Sequence, residues 1–376
     1  MKKILIYVFT ALLALTGVSV FAGGDQSFSD NENRQLTVIS DVAGADVLSG
    51  AFQRELTSYS SDQIPGRDLC MTTATVLKKL TGRKDIGGAY IGEDGFYFNK
   101  KLDKDISLRR YEKNLKKVES IAEKYGNKKV TVMLIPESGS VYSDMLPENA
   151  ELFDDDSMYD AAEKILSSCR VINMKKVLKS RAEKEDGAYL FYRTDHHWTI
   201  DGAYEGYRAF MGKDCAYEKE KLCDDFLGTL YSKVLDRKAK RPVTDGGSFD
   251  EVSIPEIDSV TDGKVTVTAD GREIEMFDRS ALNEKDKYRV YFGGNHGITT
   301  IRTGNTGGKK LAVIKDSFAN CFVPLLTGDY DEIIMADMRY TSGNIDMIAK
   351  DADEILFLYQ LSGFAEDTNI AKLAMQ

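Results

Sequence analysis

The sequence predicts an α/β fold, a mainly parallel sheet covered by helices on both faces. Apolar runs of strand length alternate with amphipathic stretches of helical period, the pattern of strands connected through crossover helices. The chain has 376 residues, 42% hydrophobic and 29% charged, with six prolines and no biased tract, so it can bury a full core. No internal repeat is apparent.

Taken in order, Lys2 and Lys3 precede an apolar stretch from Ile4 to Phe21 that ends in Val20-Phe21-Ala22 before Gly23-Gly24. A basic start, an apolar centre and small residues at the cut make residues 1–22 a secretory signal cleaved after Ala22, or an uncleaved anchor. Either places the remainder outside the cytoplasm, at the cell surface or secreted. A polar segment, Gly23 to Gln35, follows. Helices are expected over Leu108–Tyr125 and Tyr159–Arg181. Buried strands are expected at Val130–Ile135, Ala188–Tyr192, Leu311–Ile314, Glu332–Met335 and Glu354–Tyr359. From about Arg241 to Phe292 the chain turns rich in Gly, Asp, Val and Thr, and Asp270-Gly271 marks a hairpin within Val265–Ile274. This interval reads as a β-rich insertion in one body running from 23 to 376.

A formal net charge of -10, with no long Lys/Arg run, argues against nucleic acid as a partner. Five cysteines, Cys70, Cys169, Cys215, Cys223 and Cys321, leave at least one without an intrachain mate. They fit no metal spacing and read as buried small hydrophobes.

Chemistry concentrates in two segments. The three histidines are His196, His197 and His296, and two of them lie in Thr194-Asp195-His196-His197-Trp198-Thr199 with the only tryptophan. Residues i and i+2 of an extended loop face one side, so the Asp195 carboxylate can fix His197 through Nδ1 and leave Nε2 as a general base. The second segment, Leu311 to Asn320, runs a buried strand into Asp316-Ser317 and a helix-like stretch. That geometry exposes a nucleophilic serine at a strand's carboxyl end, where backbone N–H groups can stabilise an oxyanion. Asp195, His197 and Ser317 then complete a triad. Each motif also has a plain structural reading: Asp-Ser before a helix as an N-cap, and Asp-x-His as a surface network. Cys321, one turn after Ser317, is expected to pack beneath it.

Thr194-Asp195-His196-His197-Trp198-Thr199 resembles the signature of the DHHW protein family, related to the extracytoplasmic SGNH-type O-acetyltransferases that modify alginate. The likeness extends to Glu32–Leu36, Asp62–Asp68, Ile91–Gly95, Met133–Pro136, Phe226–Tyr231 and Lys315–Phe318. It implies an SGNH-hydrolase-like three-layer sandwich. Asp195 would orient, His197 act as base and Ser317 as nucleophile, in an order permuted from ordinary SGNH hydrolases. Lys315 stands where those acetyltransferases have glycine. The resemblance also implies an acetyl group moved through an acyl-serine onto a polysaccharide hydroxyl, with a membrane-bound O-acyltransferase as donor partner. A carbohydrate acetylesterase on the same triad and a non-catalytic polysaccharide-binding envelope protein are the alternatives.

Arg339 and Tyr340, which follow the strand Glu332–Met335, are candidates for oxyanion or sugar contacts, as are His196 and Trp198; for Arg339 the competing role is an ion pair with a nearby acid. Arg67 and Asp68 read as a fold-stabilising pair, and His296 as a loop residue. Gly304–Lys310 fails the phosphate-loop spacing, and Asp154–Asp156 with Asp160 suit a helix start rather than a calcium loop. No metal and no cofactor are expected.

Overall fold

The computed structural model describes residues 2–184, 189–214, 218–257, 263–305 and 308–373. They form two compact units, residues 1–87 with 231–237, and residues 88–230 with 238–376.

The smaller unit holds α1 (Lys2–Ala22), α2 (Ala51–Asp62) and α3 (Arg67–Leu80). By length and composition α1 is able to cross a membrane. The expected Arg67–Asp68 pair does not form, because successive residues of a helix point about 100° apart. Arg67 instead pairs with Glu32, and Asp68 accepts from Asn31. The buried Asp62 completes the cluster, accepting from Arg34 at 3.1 Å and from the Thr37 N–H at 2.9 Å.

The larger unit is built on an eight-stranded sheet: β1 (Lys129–Ile135), β2 (Arg170–Asn173), β3 (Thr266–Ala269), β4 (Arg272–Ile274), β5 (Ile298–Arg302), β6 (Lys309–Lys315), β7 (Tyr330–Ala336) and β8 (Glu354–Gln360). Its order is β4-β3-β5-β7-β6-β8-β1-β2. The five strands from β7 to β2 are parallel; β5, β3 and β4 extend the sheet antiparallel. Period-two alternation divides the side chains between two cores. Met133, Ile135, Leu311 and Val313 face Phe210 of α7 (Ile200–Met211) and Trp198 in the loop before it, whereas Val132, Leu134, Ala312 and Ile314 face Leu115, Val118 and Ile121 of α4 (Leu108–Lys124). The result is a three-layer α/β sandwich, as the resemblance implied.

Two expected elements change. The stretch read as one helix over 159–181 is α5 (Asp155–Ile165), then β2, then α6 (Met174–Ala182). Arg170–Asn173 gains a ladder against β1, and the Asn173 side chain accepts from the Lys176 N–H at 3.2 Å to start α6. Of the expected strand at 188–192, Ala188 lies outside the described residues, and the rest forms only a bridge between Phe191 and Trp198. Leu190, Phe191 and Tyr192 are apolar because the loop is buried on the sheet, not because it is a strand. Within the interval 241–292, β3 and β4 meet at a two-residue turn with Asp270 at φ 46° and Gly271 at φ 79°, the mirror-image geometry that suits hairpin twist. Asp154 caps α5 by accepting from the Ser157 N–H at 3.1 Å. Of the cysteines, Cys321 is buried, Cys169 and Cys223 are half-buried and Cys70 is exposed; Cys215 lies outside the described residues.

Candidate active site

Strand β6 ends at Lys315 and the chain breaks sharply at Asp316. The buried Asp316 carboxylate shapes that break, accepting from the Phe318 N–H at 3.0 Å and from the Gln360 N–H of β8 at 2.7 Å. Ser317 is left half-buried at the carboxyl edge of the sheet. The helix behind it, α8 (Ala319–Phe322), is a single turn that tightens at Pro324, shorter than the sequence suggests. The Ser317 hydroxyl does not cap α8; Phe318 occupies that position, and Oγ lies 2.7 Å from His197 Nε2.

His197 reaches Ser317 from a loop 120 residues earlier in the chain. Its Nδ1 lies 2.6 Å from Asp195 Oδ1, and Oδ1 also accepts the His197 backbone N–H at 3.0 Å. Asp195 Oδ2 accepts the N–H and the hydroxyl of Thr229 at 2.8 and 2.9 Å. An ionised carboxylate accepts without donating, so Nδ1 carries the proton and Nε2 is the acceptor facing the Ser317 hydroxyl. Burial works against the Asp195 charge, but the imidazoles of His196 and His197 and the hydrogen bonds from His197 and Thr229 outweigh it. They hold this carboxyl well below the usual range. The His197 ring lies flat on Tyr288, centroids 3.8 Å apart and planes 9° apart, and the Tyr288 hydroxyl donates to the Ser317 carbonyl at 3.0 Å. The His196 ring also meets the His197 ring, centroids 3.9 Å apart and planes tilted by 38°. Since the Thr229 hydroxyl donates to Asp195, His196 Nδ1 donates to Thr229, at 2.8 Å.

A second carboxylate, invisible to sequence reasoning, holds this loop. Asp250 is completely buried and accepts from the Tyr189 hydroxyl, from the N–H groups of Arg193 and Thr194 at 2.7 and 2.8 Å, and from the Thr194 hydroxyl at 2.5 Å. Burial raises its carboxyl to about 6, against the pull of those same hydrogen bonds. Thr194 passes the order on, its hydroxyl accepting from the Gly228 N–H at 2.9 Å and its carbonyl from the Leu230 N–H at 2.9 Å. Gly228 and Thr229 lie so close to Asp195 that a Cβ on Gly228 would fall 2.3 Å from the Asp195 Cβ.

The other candidates are placed differently. Trp198 is fully buried with its indole N–H on the Phe318 carbonyl at 2.9 Å, so it offers no face to a sugar and braces the Ser317 turn instead. Arg339 grips the buried Asp337 with two bonds of 2.8 and 2.6 Å, which is the ion-pair role. Tyr340 beside it is exposed. His296 Nε2 donates to the Phe292 carbonyl of its own loop at 2.8 Å. Cys321 is buried beneath Ser317, and burial pushes its thiol up to about 12, in keeping with packing. Among the described residues, the Ser317 N–H bonds no protein acceptor, and neither does the carboxamide NH2 of Asn295, whose oxygen meets Lys315 and Asn320 on the two flanks of Ser317; the buried side-chain NH2 of Gln360, next to Asp316, is likewise without a partner. Asn295 adjoins His296 in a glycine-flanked loop, the one signal that could have found it.

Asp195, His196 and His197 bring ligand-type atoms within 4.8 Å of one another, the composition of a metal cluster. Here both Asp195 oxygens are occupied by N–H and O–H donors, an arrangement suited to orienting His197 rather than to ligating an ion.

Residues 155–336 match the family model described as DHHW protein, and residues 90–216 match the SGNH hydrolase-like domain of acetyltransferase AlgX. The first match spans Asp195, His197 and Ser317, and the second spans Asp195 and His197 but ends before Ser317. No curated protein matches the chain. A DHHW family protein from Eubacterium siraeum DSM 15702 shares the fold with a TM-score of 0.59 at 21% identity, covering 77% of this chain and 99% of its own. Bacillus cereus PatB1 with a sulfonyl adduct aligns with a TM-score of 0.59 at 19% identity, covering 75% of this chain and 96% of its own.

Proposed function

From a chain that carries a DHHW segment on an SGNH-hydrolase-like fold, we propose that the protein is an extracytoplasmic O-acetyltransferase that moves an acetyl group through Ser317 onto a hydroxyl of a cell-surface or secreted polysaccharide. One observation carries this reading: His197 bridges Asp195 and Ser317 through its two nitrogens at 2.6 and 2.7 Å, the arrangement that activates a serine for acyl transfer.

His197 Nε2 accepts the Ser317 proton as Oγ attacks the carbonyl carbon of the acetyl donor. The carbonyl electrons move to oxygen, to which the unpaired Ser317 N–H and Asn295 NH2 would donate. On collapse the leaving group takes the proton from His197, and acetyl-Ser317 remains. A sugar hydroxyl then gives its proton to His197 and attacks the ester, and Oγ leaves with that proton. Asp195 supports the transient imidazolium throughout. Acetyl-CoA is a cytoplasmic donor, so the exported enzyme takes its acetyl group from a membrane-bound O-acyltransferase. An apolar α1 kept as an anchor would hold Ser317 near that partner. The AlgX-type acetyltransferase domain matched over 90–216, which contains Asp195 and His197, supports the reaction class.

The test is intact-mass analysis after incubation with an activated acetyl ester, and in parallel with a sulfonyl fluoride, prompted by the adduct on PatB1. The expected result is a single adduct on the native protein, absent from Ser317→Ala and His197→Ala. Candidate glycans then separate a transferase, which acetylates them, from an esterase, which loses the acetyl group to water. No adduct with either reagent between pH 6 and 9 would overturn the acyl-serine and leave the polysaccharide-binding reading.

A further inference from the structure

Lys315 is the final residue of an apolar strand and is 2% exposed. A lysine there is unfavourable for folding, since a methionine of similar length would fill the space without desolvating a charge. Its surroundings do not neutralise it by a simple pair. Asp337 Oδ2 lies 3.7 Å away but is already held by Arg339 at 2.6 Å. The short contacts of the ammonium go to two carboxamide oxygens, Asn295 Oδ1 at 2.9 Å and Asn320 Oδ1 at 2.7 Å. The Asn320 NH2 also reaches Asn295 Oδ1, at 3.2 Å.

These contacts have a directional consequence. A lysine ammonium donates only, so both asparagines must present oxygen to it, and the Asn295 carboxamide can stand in one orientation, NH2 turned away. That NH2 bonds no acceptor among the described residues, while its oxygen is claimed twice. Lys315 lies two residues before Ser317 and Asn320 three after, so the same ammonium ties both flanks of the nucleophile turn to the loop that carries Asn295.

We propose that Lys315 is a positioning residue: its ammonium fixes the Asn295 carboxamide so that the NH2 is presented to the oxyanion formed at Ser317. This rests on the acyl-serine reading above. It also explains why a cation is used rather than a neutral side chain, because only a pure donor enforces the amide's orientation. Burial, opposed mainly by Asp337, lowers the Lys315 ammonium to about 8, still charged at neutral pH.

The experiment is a double-mutant cycle on Ser317 acetylation by an activated ester, with Lys315→Met, Asn295→Ala and the double variant. Removing an oxyanion donor costs on the order of a hundredfold or more in rate. Lys315→Met is expected to lose about tenfold to a hundredfold in kcat with KM within about threefold, and the double variant should lose no more than Asn295→Ala alone. Asn295→Asp, which strengthens the contact to Lys315 but removes the NH2, should be as slow as Asn295→Ala. Multiplying losses in the double variant, or an active Asn295→Asp, would overturn the proposal. Crystal structures of native protein and Lys315→Met give a readout independent of turnover: the Asn295 carboxamide should lose its single orientation. An unchanged carboxamide refutes the positioning role, whereas native protein that forms no acetyl adduct refutes the acyl-serine reading instead.

Discussion

Gly228→Ala adds one methyl group at a position where the backbone tolerates alanine, since its φ lies outside the left-handed region. The new Cβ would stand 2.3 Å from the Asp195 Cβ and 2.4 Å from Oδ2, where ordinary contact begins near 3.4 Å, so the two segments must part by about 1 Å. Gly228 cannot yield freely, because its N–H is bonded to the buried Thr194 hydroxyl. The movement therefore falls on Asp195 and stretches the 2.6 Å bond that orients His197. A misplacement of this size costs about a hundredfold in rate, or about 2.7 kcal/mol in the barrier. The assay is the first-order rate of Ser317 acetylation by an activated ester, with Ser317→Ala as baseline and near-ultraviolet circular dichroism to verify the fold. Acetylation within about threefold of the native rate, in a folded Gly228→Ala protein, would refute the claim that Asp195 must sit where Gly228 leaves room for it.

Three further outcomes are expected. Thr194→Val strips Asp250 of one donor and removes the hydroxyl that accepts from the Gly228 N–H, a loss of about 1–3 kcal/mol that should lower the urea midpoint without changing m; an unchanged midpoint would show the relay to be unimportant. The Asp250 carboxyl stands at about 6 in the fold, above its ordinary value, so between roughly pH 4 and 6 the folded chain keeps a proton that the unfolded chain has released. This group should therefore subtract about 3 kcal/mol from stability as pH rises through that window and change nothing beyond it. Urea titrations of native protein and Asp250→Asn should converge or diverge only there, and parallel profiles would contradict the assignment. Trp198→Phe removes the indole donor of the Phe318 carbonyl, leaving it the weaker Cys321 thiol at 3.7 Å, and should cost about 1–3 kcal/mol in thermal unfolding while acceptor KM stays unchanged; a raised KM at native stability would restore Trp198 to the sugar site.

What could be read in advance depended on the range over which each feature is determined. Strands β1, β6, β7 and β8 were legible because parallel strands buried on both faces must be continuous apolar runs, as Val130–Ile135 and Glu354–Tyr359 are. The same criterion misread Tyr189–Tyr192, since aromatic burial of a loop leaves an identical trace. The helix over 159–181 failed because β2 is only four residues long and exists through its pairing with β1. At the site, Asp195 and His197 were legible through a local spacing and the scarcity of histidine, and Ser317 through the strand before it. Asp250, Gly228 and Asn295 act at separations of 56, 33 and 20 residues from their partners, which no local pattern reports. Lys315 could be seen as a departure from the acetyltransferase motif, but its meaning lies in two asparagines that only the fold brings to it.

The stack of His196, His197 and Tyr288 bears on timing as well as on place. An imidazole laid flat on Tyr288 at 3.8 Å and met by the tilted His196 ring at 3.9 Å cannot turn over about its Cβ–Cγ bond without displacing them, and Tyr288 is itself bonded to the Ser317 backbone. Ring rotation of His197 is thereby coupled to opening of the nucleophile turn. On the proposed acyl-serine route, this would keep the base from drifting, between acylation and the arrival of an acceptor, to a rotamer from which it fails to meet the second hydroxyl. The rotational entropy of the base is lost once, when the chain folds, and not again at each half-reaction.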